Sequence, residues 1–260
     1  MKKLFTAIRQ GKLDEVAAIL DKNPELIACL SKAPPKKDEG QSPLMVAIKS
    51  DNAEVAHLLL DRGADVNFRD APTQPYNESV PVWYNAVGQC FMQAGHTVGP
   101  GPERSKKYFL LLRRLLDLGM DPNQRATSDF GSRNAWQYAL EMYNQFAHSS
   151  LSNYPSARET ELEENCRLGK MLRAVLDELL SHGADIHDYE LTSANVTILL
   201  RNLEEGRELF DGFSGLAPAI EYQGNEHETP PAPEEEKLRQ YEIKWRALEP
   251  VLRAYYEKNC

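Results

Sequence analysis

The sequence has no hydrophobic run long enough to cross a bilayer. The Leu-rich stretch from Tyr108 to Leu112 is broken by Arg113 and Arg114, whereas a membrane-spanning helix needs about 20 apolar residues. The N-terminus begins with two lysines, but charged residues recur from Arg9 onwards, before the apolar core of a secretory signal could form. We therefore expect a cytoplasmic protein that makes no contact with membranes.

Motifs that carry catalysis or hold metals are also missing. The cysteines form no Cys-x-x-Cys pair, which argues against a zinc site and against a compact disulfide framework; they are Cys29, Cys90, Cys166 and Cys260. His182 and His187 bracket a glycine turn with acidic residues nearby, but zinc needs four convergent ligands, so we expect no metal. No nucleophile elbow, phosphate loop or dinucleotide fingerprint is present. We predict a protein that is not an enzyme and has no cofactor; the alternative is an enzyme with its chemistry in Leu191 to Pro233.

Excess positive charge is the third absence, since the formal net charge is −9. An acidic protein repels phosphate backbones, which disfavours nucleic acid as a partner. The densest basic cluster has helical spacing and fits a solvated helix face better than a nucleic-acid site; it contains Lys106, Lys107, Arg113 and Arg114. We expect no nucleic-acid binding.

One short phrase recurs along the chain. Gly63-Ala64-Asp65-Val66-Asn67 is echoed by Gly119 to Asn123 and by Gly183 to His187, with a degenerate copy at Asn23 to Ile27. Each copy follows a Leu-rich or Ile-rich helix end. Glycine supplies the left-handed backbone that ends a helix, and Asp and Asn favour a turn. Each copy therefore predicts a helix, a glycine stop and an exposed turn.

A second phrase lies upstream of the first. Ser42 to Ile48 starts with a side-chain oxygen at the N-cap and proline at the first helical position, where its missing amide costs nothing. Val80 to Ala86 and Asn134 to Leu140 hold the same place before the next two glycine phrases. The two phrases together predict a pair of helices in each repeat.

These residues resemble the ankyrin repeat. The best match runs from Gly40 to Asn67 and reads GQSPLMVAIKSDNAEVAHLLLDRGADVN, with Ser42 in place of Thr, Met45 in place of His and Asp51-Asn52 in place of Gly-His. The resemblance implies an all-α helical solenoid of about four to five repeats that binds another protein.

The spacing of the glycine phrases predicts insertions in repeats three and four. From Gly63 to Gly119 is 56 residues and from Gly119 to Gly183 is 64, against a family period of about 33. We expect repeats at 1–33, 38–70, 78–125 and 131–190, followed by a C-terminal cap region at 191–260 with an acidic Pro-rich loop at about 224–236. An amphipathic helix from Glu235 to Lys258 would cover the open end of the solenoid; the alternative is a separate partner-binding helix.

The resemblance also implies that a partner meets the concave side, built from the turn tips and the first helix of each repeat. Carried over residue by residue, it points to Asp38, Glu39, Gln41, Lys49, Ser50, Tyr76, Asn77, Tyr84, Phe130, Arg133, Tyr138 and Tyr143. Exposed aromatic residues carry a large share of binding energy, so Tyr84 and Tyr143 are candidate anchors if exposed, and Tyr76 and Phe130 are favoured ones. The alternative is that several of these aromatics are core residues between repeats. Trp136, at the place of the motif leucine, is expected in the core.

We expect a protein partner selected by polar and acidic turns, and hence one with a basic surface. A narrower alternative is a bacterial immunity or inhibitor protein that blocks a toxin or enzyme, because a deepened groove would suit plugging a site.

Overall fold

The computed structural model describes residues 1–32, 35, 38–70, 79–94, 101–128, 131–146 and 155–185. Helices account for most of them. The α-helices are α1 (Lys2–Arg9), α2 (Leu13–Lys22), α3 (Pro43–Lys49), α4 (Ala53–Asp61), α5 (Val82–Ala94), α6 (Gly101–Asp117), α7 (Ala135–Phe146) and α8 (Pro155–Ser181). A short 3-10 helix spans Pro24–Ala28, and two strands, β1 (Ala126–Ser128) and β2 (Gly131–Arg133), form an antiparallel pair.

Successive helices pair and the pairs stack into two layers. The first helices α1, α3, α5 and α7 pack side by side, and the second helices α2, α4, α6 and α8 form the other layer. One continuous apolar core runs between the layers, from Leu4 in α1 to Leu179 in α8. The predicted all-α repeat solenoid is confirmed. Trp136 is buried as expected, and Trp83 joins it in the core.

Local sequence signals set the helix ends. The Ser42 hydroxyl accepts a hydrogen bond from the Met45 amide at 3.3 Å, and Pro43 opens α3, as the N-cap chemistry predicts. The repeat glycines Gly63, Gly119 and Gly183 have φ of +79°, +88° and +80°, a conformation that side chains with a Cβ resist. Each is followed by an amide that bonds back into the preceding helix, as Ala64 does to Leu59 at 3.0 Å.

Asparagine at the end of the glycine phrase fastens one repeat to the next. The side-chain Nδ2 of Asn67 donates to the Gly119 backbone carbonyl at 2.9 Å, and its side-chain Oδ1 accepts from the Asp121 backbone amide at 2.8 Å. Asn123 makes the same two bonds to Gly183 and Asp185, at 2.8 and 2.7 Å. We call this pair of contacts the asparagine clamp. It fixes the distance and the rotation between successive repeats.

Ion pairs join the second helices. Arg62 bonds Asp21 at 2.5 Å and Arg114 bonds Asp61, so in each case a cation meets an acid of the preceding repeat. The predicted basic cluster belongs to this system, since Lys107 pairs with Glu54, Arg113 with Glu178 and Arg114 with Asp61. Most of its charge is therefore matched by carboxylates of neighbouring helices. That the protein binds no nucleic acid stays a prediction.

The α-helices from α5 to α8 are longer than those before them. α3 and α4 have 7 and 9 residues, α5 and α6 have 13 and 17, and α8 has 27. The sequence Gly99-Pro100-Gly101-Pro102 predicts a turn or loop, but Gly101 and Pro102 form the first turn of α6, where proline is tolerated. The cap region 191–260, its Pro-rich loop and its helix lie outside the described residues, and the repeat boundaries stay predictions. Within the described ranges no helix is long and apolar enough to cross a membrane.

Removing an asparagine clamp should destabilise the stack. Asn67→Ala deletes two hydrogen bonds between repeats, and we expect a loss of about 1–3 kcal/mol in the free energy of unfolding, measured by urea denaturation followed by circular dichroism. Asn67→Asp should also lower the free energy of unfolding. It keeps the acceptor for the Asp121 amide but places a carboxylate against the Gly119 carbonyl. The control Lys106→Ala, at an exposed position of α6, should change the free energy by under about 0.5 kcal/mol; an equal effect of Asn67→Ala and Lys106→Ala would contradict the clamp.

His57 should make the stack sensitive to acid. Burial and then the Arg114 guanidinium lower the pKa of the His57 imidazole, so the unfolded chain takes up the proton before the folded chain does. Stability is then lost as the pH falls from neutrality through the ordinary imidazole range near 6.5. His57→Gln should flatten the pH dependence of the melting temperature between pH 7.5 and 5.5. Parallel plots of melting temperature against pH for wild type and His57→Gln would contradict this prediction.

Candidate partner-binding surface

The exposed side of the first-helix layer is best developed on α5 and α7. Tyr84 and Met92 escape burial on α5 and lie two helical turns apart on one stripe with Gly88 between them. On α7, Met142 and Gln145 are among the residues at least partly exposed. We call this surface the α5–α7 face, defined by Tyr84, Met92, Glu141, Met142 and Gln145 together with Arg133 beside it and the buried Tyr138 against Tyr84.

Stacked aromatic rings occupy the centre of the α5–α7 face. The Tyr84 and Tyr138 rings lie 4.1 Å apart between centroids with 23° between their planes, and the Trp83 ring is tilted against Tyr138 at 5.8 Å. The tilted arrangement of Trp83 on Tyr138 is a favourable one for aromatic pairs. The Trp83 indole N–H donates to the Gln124 carbonyl at 2.9 Å. This hydrogen bond to the backbone holds the ring that packs against Tyr138. Tyr84 itself is half-buried.

Gly88 makes room for this stack. A Cβ at that position would lie 3.2 Å from the Tyr138 hydroxyl oxygen, a contact tighter than normal. Burial, followed by the neighbouring Tyr84 hydroxyl, raises the pKa of Tyr138 well above its ordinary value. Tyr138 therefore stays a neutral phenol at physiological pH, and its hydroxyl can donate a hydrogen bond.

A largely buried ion pair borders the rings. Arg133 Nε lies 3.0 Å from a Glu141 carboxylate oxygen, with side chains 12% and 14% exposed. The guanidinium carbon is also 5.8 Å from the centroid of the Tyr138 ring, within the range of a cation–π interaction. Arg133 is thus held between a carboxylate and an aromatic face, and the charge of the pair is balanced.

Two arginines that we did not predict position the turn tips. Arg69 donates to the Ser79 hydroxyl at 2.7 Å, to the Thr127 hydroxyl at 2.8 Å and to the Arg125 carbonyl. The backbones of Ser79 and Thr127 exchange two hydrogen bonds of 3.0 Å. Arg125 in turn donates to the Ser132 hydroxyl at 2.7 Å. The missed signal was spacing, because Arg69 and Arg125 each stand six residues after a repeat glycine.

The predicted site residues of repeat two divide into buried and exposed groups. Asp38 is 1% exposed and pairs with Arg9 at 2.7 Å and Lys49 at 3.8 Å, so it joins α1 to α3. Gln41 is also buried and donates to Asp70 at 3.4 Å. The expected exposure of Asp38 and Gln41 is therefore wrong. Of the remaining residues predicted there, Glu39 and Lys49 are exposed and Ser50 is half-buried.

The aromatic residues of repeats three and four also divide. Tyr84 and Arg133 are partly exposed, but Tyr138 is 5% and Tyr143 only 1% exposed. The expectation of an exposed Tyr143 is wrong, because its spacing of three and four residues from Leu140 and Ala139 places it on the core stripe of α7. Burial raises the pKa of Tyr143 accordingly. Tyr76, Asn77 and Phe130 lie outside the described residues, so their roles stay predictions.

Comparison with known proteins supports the repeat assignment. A protein-family profile described as ankyrin repeats (3 copies) matches residues 2–70. No curated protein matches the sequence. A chain in the solved structure of the Bd0816 predatory endopeptidase from Bdellovibrio bacteriovorus in complex with immunity protein Bd3460 is similar at 18% identity and a TM-score of 0.39, covering 78% of this chain and 93% of that one.

The profile match ends at Asp70, so the α5–α7 face lies in the more divergent part of the stack. Ankyrin repeats indicate protein–protein interaction, and they are typically non-enzymatic binding modules. The family profile shows ankyrin repeats in residues 2–70, and the stacked helix pairs continue the same helical architecture through α8.

Proposed function

We propose that this protein is a non-enzymatic scaffold that binds a partner protein through its concave surface, with the α5–α7 face as the centre of the contact. The observation that carries the proposal is the stacked Tyr84–Tyr138 pair with Arg133 beside it. Tyrosine and arginine are enriched among the residues that dominate binding energy at interfaces.

Preorganisation favours this role for the rings. Ordering mobile side chains opposes association, at a cost of about 0.5–1.5 kcal/mol for each rotamer-rich side chain. Tyr138 is already fixed by Tyr84, Trp83 and the room that Gly88 provides, and Arg133 is fixed by Glu141. A partner that docks on the α5–α7 face therefore meets groups that lose little freedom on binding.

The charge of the chain suggests the character of the partner. The Arg133–Glu141 pair is balanced, whereas the whole chain carries a formal charge of −9. A basic partner would be drawn to such a protein at long range, and the effect would weaken as salt screens it. We therefore propose a partner with a basic surface around an apolar contact.

Affinity purification of the tagged full chain from its native cells, with mass spectrometry, should recover a stoichiometric partner. Tyr84→Ala should then weaken the purified complex by at least about 10-fold, since an interface hot spot is worth about 2 kcal/mol or more. The matched change Tyr84→Phe keeps the ring and should retain most of the affinity. Isothermal titration calorimetry at two salt concentrations measures both effects, and higher salt should weaken binding.

The controls separate a binding surface from a general loss of fold. Leu110→Ala alters an exposed side chain of α6 in the second-helix layer and should leave affinity unchanged, with all variants checked by melting temperature. Tyr76→Ala and Phe130→Ala test the two turn residues that the sequence favours. If the partner binds every one of these variants as tightly as wild type, the interface lies elsewhere. A partner enzyme whose activity falls on binding would make this protein an inhibitor.

A further inference from the structure

Three metal-ligating side chains converge on the second-helix layer, away from the α5–α7 face. Asp117 ends α6, Glu178 lies in the last turn of α8, and His182 follows that helix. One ligand atom from each lies within 4.8 Å of the other two. Although the sequence pairs His182 with His187 across a glycine turn, the structure joins it to an aspartate of the preceding repeat.

Hydrogen bonding orients the His182 ring. Its Nδ1 lies 2.9 Å from the Glu178 backbone carbonyl, and since a carbonyl only accepts, Nδ1 is placed to donate to it. On the other side of the ring, Nε2 faces an Asp117 carboxylate oxygen at 3.3 Å. A proton on Nε2 makes this contact a hydrogen bond, whereas without that proton the two ligand atoms stand where a metal ion can bridge them.

The equivalent contacts earlier in the stack support the need for a cation. Asp61 stands two residues before its repeat glycine, as Asp117 does before Gly119, and Asp61 is neutralised by the Arg114 guanidinium. At the next junction the group that meets the aspartate is an imidazole, which brings no permanent charge. An imidazole and a carboxylate can instead share a metal ion.

We propose that Asp117, Glu178 and His182 form a zinc site that joins repeat three to repeat four. Bonds of about 2.0–2.1 Å in tetrahedral geometry place two zinc ligands about 3.3 Å apart, which matches the separation of His182 Nε2 and Asp117 Oδ1. The Nδ1 bond to a backbone carbonyl is the contact that orients histidine ligands in metal sites.

The surroundings complete the donor set. Arg113 Nε holds one Glu178 oxygen at 3.1 Å, and the other oxygen lies 3.7 Å from His182 Nδ1, so the Glu178 carboxylate would have to turn toward Nε2 to bind the same ion. The side chain of Asp117 is 64% exposed and that of His182 is 25% exposed, so an ion can enter and water can supply the fourth ligand. Zn²⁺ binds imidazole, whereas Mg²⁺ and Ca²⁺ prefer oxygen ligands. The site should therefore select zinc over those two ions.

Zinc titration of the full chain tests the site. After chelator treatment and dialysis, zinc chloride is titrated into wild type and into His182→Ala, and affinity is read by competition with a chromophoric chelator. We expect one zinc ion that the variant binds at least about 10-fold more weakly. Asp117→Asn should weaken binding too, and magnesium should not compete. Saturating zinc should raise the melting temperature of wild type more than that of His182→Ala.

His57→Ala is the matched control, because His57 also lies on the second-helix layer beside an aspartate but has Arg114 as its neighbour. It should bind zinc as wild type does. Failure of wild type to bind zinc, or equal zinc affinity in wild type and His182→Ala, overturns the proposal and leaves a plain hydrogen-bonded pair. Partner binding through Tyr84 would survive that result, since the two sites use different helices.

Discussion

The asparagine clamp is the interaction on which the rest of this structure depends. A solenoid has no contacts between distant repeats, so its shape is the sum of the junctions between neighbours. Asn67 and Asn123 set the junctions from repeat two to three and from three to four by bonding the backbone of the next glycine turn, with the same donor and acceptor in both places. Because the bonds go to backbone groups, they persist even where the side chains of the next repeat diverge.

Because the junction between repeats is fixed, each helix layer can hold its own set of contacts between repeats. On the first-helix layer, the relative position of α5 and α7 brings Tyr84 onto Tyr138, although 54 residues separate them in the sequence. On the second-helix layer, the same junction brings Asp117 to His182. Neither contact could form if successive repeats slid or rotated by the width of a side chain, so binding face and ion site both rest on the clamp.

The sequence predicts those features that depend on neighbouring residues. Ser42 with Pro43 starts a helix and Gly63 ends one through local backbone chemistry, so the helix pairs follow from the pattern. The burial of Tyr143 could have been predicted in the same way, since it continues the core stripe of α7. It was predicted at the surface because the family places a surface residue at that position of the repeat. The role of Asp38 was not accessible, because it depends on Arg9, 29 residues away. For Arg69, the spacing marks the position but does not reveal its partner Thr127.

Divergence from the family pattern is itself informative about where function lies. The family profile fits residues 2–70, in which Asp38 and Gln41 are used to hold the stack together rather than to face solvent. The longer helices α5 to α8 lie beyond that match, and they carry both the aromatic platform and the Asp117–His182 junction. If the first repeats chiefly supply a stable end for the stack, substitutions there should act on folding, whereas substitutions at Tyr84 should act on association at nearly unchanged stability.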